Sequence, residues 1–190
     1  MAKQKGTKRT SAKRKPLSAM LAGGDRRSLG RANSVAELVL DNPKSFAELL
    51  ACLWNDDSLI RMRAADAVEK ISRGKPELLH PHKAEILGLA DETQQIEVQW
   101  HLAQMLPRLK SNAAERRRTV ARLTDYLQSR SSIVKTHALQ ALYELAREHE
   151  ELQPEVTELL EEAIRRGTAA MKARARNLLH DDIAVARSRH

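Results

Sequence analysis

Ile60-Arg61-Met62-Arg63-Ala64-Ala65-Asp66-Ala67-Val68-Glu69-Lys70-Ile71 sets apolar residues at offsets 0, +4, +7, +8 and +11 from Ile60. At about 100° per residue these offsets share roughly 100° of arc, so the stretch reads as a helix with one buried stripe. The template recurs three times. Val98 leads to Leu102, Met105, Leu106 and Leu109, and Val134 leads to Ala138, Ala141, Leu142 and Leu145. Met171 leads to Ala175, Leu178 and Leu179, and the match ends at Asp182. The four starts are 38, 36 and 37 residues apart, a regularity that marks an internal repeat.

An apolar helix precedes each of these four. The leaders are 43–54 (Phe46, Leu49, Leu50, Leu53), 81–90 (Ile86, Leu87, Leu89), 112–129 (Val120, Leu123, Leu127) and 154–166 (Val156, Leu159, Leu160, Ile164). Pro43, Pro81 and Pro154 suit first-turn positions, where a missing N–H costs nothing. Asn112 with Glu115, and Ser34 with Glu37, have the spacing of a capping box. Gly167 can close one helix while Thr168 caps the next, and Gly74 with Pro76 closes the first hairpin. No segment alternates like a strand. The expected fold is all-α, a right-handed α-α solenoid of about four helical hairpins.

A two-helix unit of this length is close to that of HEAT and armadillo repeats. The residues carry the likeness further. Asp57-Ser58-Leu59-Ile60-Arg61-Met62-Arg63-Ala64-Ala65-Asp66-Ala67-Val68 resembles the HEAT second-helix signature, in which a turn acid precedes Val-Arg and then small residues. Val134-Lys135-Thr136-His137-Ala138-Leu139-Gln140-Ala141-Leu142 repeats it, and the resemblance spans roughly 43–181. The second unit departs from it with Gln99 and a bulky Trp100, and the fourth lacks the turn acid. Similarity to this armadillo-like helical family implies a scaffold, an adaptor or an occasional nucleic-acid binder. It names no substrate, because function lives in sites rather than folds.

Charge divides the chain. Residues 1–33 hold ten basic residues (Lys3, Lys5, Lys8, Arg9, Lys13, Arg14, Lys15, Arg26, Arg27, Arg31) against Asp25 alone. Removing them from the 33 basic and 25 acidic residues leaves 23 and 24, so the body is nearly neutral. The first 33 residues also hold four of the seven glycines and little periodic apolar content, too little to offset ordering entropy. They read as a basic disordered arm over 1–33, followed by the repeat domain over 34–185 and a short tail over 186–190. The one apolar island in the arm, Leu17 to Ala22, reads as a sticky stretch of tail or a short docking motif. A single cysteine, Cys52, excludes an internal disulfide framework and suits a reducing compartment. No run approaches the ~18 apolar residues of a membrane span. A cytoplasmic protein without stable membrane association is expected, or a nuclear one in a eukaryote if Lys13-Arg14-Lys15-Pro16 acts as an import signal.

The side of the second helices opposite the stripe is expected to form a continuous concave surface. Offset +6 reads Asp66, Gln104, Gln140, Asn177, and offset +2 reads Met62, Trp100, Thr136, Ala173. Offset +9 brings Tyr143 to the same side. Because Trp is enriched among interface hot spots, a protein-binding groove is expected around Met62, Asp66, Trp100, Gln104, Gln140 and Tyr143. A second candidate set is cationic. Lys13, Arg14 and Lys15 in the arm, with Arg116, Lys135, Lys172 and Arg174 in the body, could bind phosphates. Arg26-Arg27-Ser28-Leu29 has the look of a basophilic kinase site.

Enzyme chemistry has no foothold in the motifs. The body's glycines, Gly74, Gly88 and Gly167, are isolated, and no His-Glu-x-x-His occurs. His80-Pro81-His82 lacks a third ligand, and His101 and His137 lie about 10 Å apart on adjacent helices and read as surface residues. Cys52 reads as a buried structural thiol. A non-enzyme without cofactor or metal is therefore expected, monomeric alone, that binds a protein or peptide on the exposed face of its second helices. The alternative is a nucleic-acid-associated protein that binds phosphates through the arm and the basic C-terminal repeats.

Overall fold

The computed structural model describes residues 15–25 and 28–188. Among these the regular structure is helical throughout: α1 (Leu17–Leu21), α2 (Ala32–Asp41), α3 (Phe46–Ala51), α4 (Ser58–Gly74) and α5 (Lys83–Glu92). There follow α6 (Ile96–Met105), α7 (Ala113–Tyr126), α8 (Ser132–Glu148), α9 (Gln153–Arg166) and α10 (Ala169–Ser188). The four templates start on α4, α6, α8 and α10, and the second runs past the end of α6, with Leu106 in the 3₁₀ turn that follows and Leu109 just after it. Each of these four helices packs on the next and on its own leader, α3, α5, α7 or α9, giving two layers. Ala64, Ala67, Ala138 and Ala175 are fully buried, as are Val68, Leu102 and Leu142. Alanine lets the helices approach closely, and the branched residues between them fill the space to interior density. The last helix passes the boundary expected at 185 and runs to Ser188, while residues 189 and 190 lie outside the described residues.

The residues that open the second helices recur with the same period. Asp57, Gln95, Ser131 and Thr168 stand just ahead of α4, α6, α8 and α10. Three of them cap: Asp57 Oδ1 accepts from Leu59 N at 2.8 Å, Ser131 Oγ from Val134 N at 3.4 Å, and Thr168 Oγ1 from Met171 N at 3.3 Å. Gln95 acts differently. Its amide donates to Ser58 O at 2.8 Å and accepts from Arg61 Nε at 2.9 Å, which ties the second hairpin to the first. Arg61 also donates to the Asn55 and Asp56 carbonyls, at 2.7 and 3.0 Å, while Asp57 spends its carboxylate on the cap. The capping box of Asn112 and Glu115 forms, with both bonds at 2.9 Å. The spacing of Ser34 and Glu37 does not make one, because both lie inside α2, which Arg31 precedes.

The chain joins the array earlier than a boundary at residue 33 implies. Leu17 and Leu21, one turn apart in α1, are fully buried against α2, α3 and α4. Leu17 N donates to Glu48 Oε1 at 2.8 Å. The apolar island of the arm is thus a docking element, and its receptor is the chain's own first repeat. After it, Gly23 and Gly24 take positive φ (72° and 81°), which turns the backbone back across α4.

Arg63 is the reason this loop has a shape. Its side chain is 1% exposed and its bonds go to carbonyls of the loop. Nη1 donates to Leu21 O (2.7 Å) and Gly23 O (2.5 Å), Nη2 to Asp25 O (2.9 Å), and Nε with Nη2 to Ser28 O (3.2 and 3.1 Å). A buried guanidinium is tolerated when its fork of donors is satisfied, and here four carbonyl dipoles do so. Gly30 (φ 54°) seals the loop, since a Cβ there would stand 2.7 Å from Arg63 Cζ. Residues 17–25 and 28–31 are a strap on the first repeat, and Arg26 and Arg27 of the kinase-like motif lie outside the described residues. Lys13 and Arg14 lie outside the described residues, and Lys15 is exposed at the start of the strap.

Candidate functional site

The strap completes a groove. Ser28 and Leu29 from the loop face Met62 of α4, Ile96, Trp100 and His101 of α6, and Arg130, Ser131 and Ile133 at the start of α8. The space between them is about 650 Å³. Leu29 is 48% exposed and Ile133 50%, two of the largest apolar exposures among the described residues. Trp100 is half-buried, packs on the core, and meets the His101 ring edge-on with centroids 5.3 Å apart. Ile133 owes its position to the Ser131 cap, which starts α8 and leaves this side chain one residue ahead of the buried Val134. A three-sided apolar cleft with exposed anchors is the kind of surface that holds a partner.

The six groove residues expected from the sequence divide. Met62 and Trp100 line the groove, and so does Asp66, though it is buried and engaged by Lys70 at 2.6 Å. Gln104 donates to the Trp100 carbonyl at 3.2 Å. Gln140 donates to Glu144 at 2.8 Å and accepts from Arg174 at 3.3 Å. The amide row is therefore occupied within the chain rather than held out to a ligand. Tyr143 is buried at 6% exposure and turns toward α9, where it lines a small cleft with Val156 and Leu160. An offset of +9 carries a residue to the far end of the helix, beneath the incoming leader, so Tyr143 is not a groove residue.

The reading of His101 as a surface residue is corrected in the same way. Arg63 is buried in the strap contact, and His101 is 7% exposed rather than a surface residue. Burial pushes the His101 imidazole down to about 4, and its Nδ1 has no hydrogen-bond partner. Burial likewise lowers His137. Glu69 is fully buried and ties two repeats together. It accepts from Arg73 at 2.6 and 2.9 Å and from Arg108 at 2.9 Å. Burial alone would raise its carboxyl, but the two guanidiniums hold it below the usual carboxylate range.

The cationic set does not form one surface. Arg116 stands on α7 in the outer layer and is paired with Glu151 at 2.9 Å. Lys135 on α8, with Lys172 and Arg174 on α10, belongs to the inner layer, and among the described residues no ion pair engages these three. Cys52 is buried, its thiol donates to the Glu48 carbonyl at 3.4 Å, and burial raises its pKa. Among the described residues no helix is long and apolar enough to cross a membrane. Sequence reasoning missed Leu29 and Ile133. Both are large apolar residues outside the repeat template, and that mismatch is the signal that could have marked them.

The model of the HEAT repeat domain family matches residues 22–181, which takes in the loop of the strap as well as all four hairpins. No curated protein and no solved structure matches the chain.

Proposed function

This chain belongs to the HEAT-repeat family, and on that premise we propose that it is a non-catalytic adaptor which holds a segment of a partner protein in the groove around Trp100. HEAT arrays commonly serve as interaction scaffolds, and their stacked helices offer side chains from several repeats to one ligand. The observation that carries the proposal is the groove itself. Leu29 and Ile133, each about half exposed, flank Trp100 across 650 Å³ of open space. Solvent-exposed side chains of that size on facing walls are costly to leave uncovered and stabilise a complex when covered, by about 25 cal/mol per Å² of apolar area.

The test is affinity capture from the source cell with three baits: the parent, Ile133→Asp in the groove and Glu158→Arg on α9. Ile133 and Glu158 are both exposed, so neither change disturbs the core. A partner kept by the parent and by Glu158→Arg but lost from Ile133→Asp supports the groove. A partner retained equally by all three baits binds elsewhere and refutes it.

A further inference from the structure

Charge around the groove narrows the class of occupant. Arg130 is exposed and lines the groove directly. Arg31, also exposed, stands two residues beyond Leu29 at the other end of the strap loop. Arg174 of α10 donates to Gln140 of α8 at 3.3 Å, seven residues beyond Ile133. Among the described residues no carboxylate is paired with any of the three. The groove's own acids are not available to neutralise them: Asp66 is held by Lys70 at 2.6 Å, and Glu97 is not free either. The cleft therefore sets Leu29, Met62, Trp100 and Ile133 beside one guanidinium without a carboxylate partner, Arg130, with a second, Arg31, two residues from Leu29.

Its length follows from the stacking. From α4 to α8 is two interhelical steps of about 10 Å each, or roughly 20 Å. A helix covers that in about 13 residues, and an extended chain in about six.

We infer that the groove takes an acid-rich amphipathic segment of another protein, with large apolar side chains against Trp100, Leu29 and Ile133 and carboxylates that meet Arg130 and Arg31. Guanidinium forks favour carboxylates in two-point geometry, which selects the charge of the segment. The inference rests on the groove reading above and adds the chemistry of the occupant. His101, uncharged at neutral pH in the wall beside Trp100, adds no further cation to the floor.

The test uses the full chain as bait for a phage-displayed library of random 16-residue peptides, followed by titration of the synthesised winners. The expected winners carry two or three large apolar residues flanked by Asp and Glu. Their affinity should fall about tenfold in Arg130→Glu, and by a similar factor between low and high salt, because opposite charges at the rim are screened there. It should be lost in Ile133→Asp. Winners that are neutral or basic, yet still lost in Ile133→Asp, overturn the acid-rich class and leave the groove standing. Winners indifferent to Ile133→Asp, or no winners, overturn both. A random-sequence DNA duplex that displaces the winners, with its own affinity reduced by Arg130→Glu, would show that the guanidiniums serve phosphates instead.

Discussion

Replacing Arg63 with Met keeps the stem and its packing but removes the guanidinium that four strap carbonyls share. A buried acceptor left without its donor costs about 1–3 kcal/mol, and a hydrogen bond to a charged group is worth about 1.5–3 kcal/mol. Three of the four residues that supply the carbonyls (Gly23, Asp25, Ser28) are exposed, so these acceptors can rehydrate once the loop lifts. That relief leaves the buried Leu21 carbonyl as the main orphan and places the loss at about 3 kcal/mol, below the 5–15 kcal/mol of a typical domain. The array should therefore stay folded while the strap comes off. Urea denaturation followed by circular dichroism reads the first quantity, and hydrogen exchange over 17–31 reads the second. The variant should lose protection in α1 and the loop while α6 to α10 keep theirs. Arg63→Lys, which retains the charge but not the fork, should fall between parent and Met variant. Gly30→Ala, whose Cβ would sit 2.7 Å from Arg63 Cζ, should loosen the same loop. A Met variant with parental stability and a fully protected strap would refute the anchoring role, and so would one that unfolds throughout.

Other predictions concern the core, the groove and pH. The His101 imidazole titrates near 4 in the folded chain against about 6.5 unfolded, so the unfolded state alone takes up a proton in that window. Stability should be level above pH 6.5 and fall by about 3 kcal/mol on the way to pH 4, with His101→Gln showing a shallower fall; equal slopes in urea titrations would contradict this. Protonation of Glu69, held low by its two arginines, should extend the loss to lower pH. Ala67→Arg places a long charged side chain at a fully buried site between helices, and should lower the unfolding free energy read by urea denaturation by about 3 kcal/mol or more. Parental melting in that variant would show the repeat register to be wrong. Trp100→Ala removes a half-buried ring that packs on the core, so about 2 kcal/mol of stability and most partner affinity should go together, read by denaturation and by capture.

The repeat was legible because each unit buries the same stripe against the same neighbours. Ile60, Val98, Val134 and Met171 therefore had to recur, and the capping residues before them recur in step. The strap was not legible. Leu17 and Leu21 form a two-residue stripe too short to show a period, and the order of the loop depends on Arg63, some 40 residues away. A lone arginine in a surface-like offset carries no sign that it is buried. The site was half legible for a related reason. Offset places Met62 and Trp100 on the groove side, but only the neighbouring hairpins decide that Tyr143 turns under α9 and that Gln104 and Gln140 bond within the chain. Leu29 and Ile133 reach the groove wall through the strap and the Ser131 cap, both of which lie outside the helical template.

Photo-crosslinking in the source cell tests the central claim most directly, with a benzophenone amino acid placed in turn at Leu29, Ile133 and Glu158. The account predicts that positions 29 and 133 yield the same protein adduct while position 158, on the outer layer, yields none. Adducts from 158 alone, or nucleic acid rather than protein captured at 29 and 133, would contradict it.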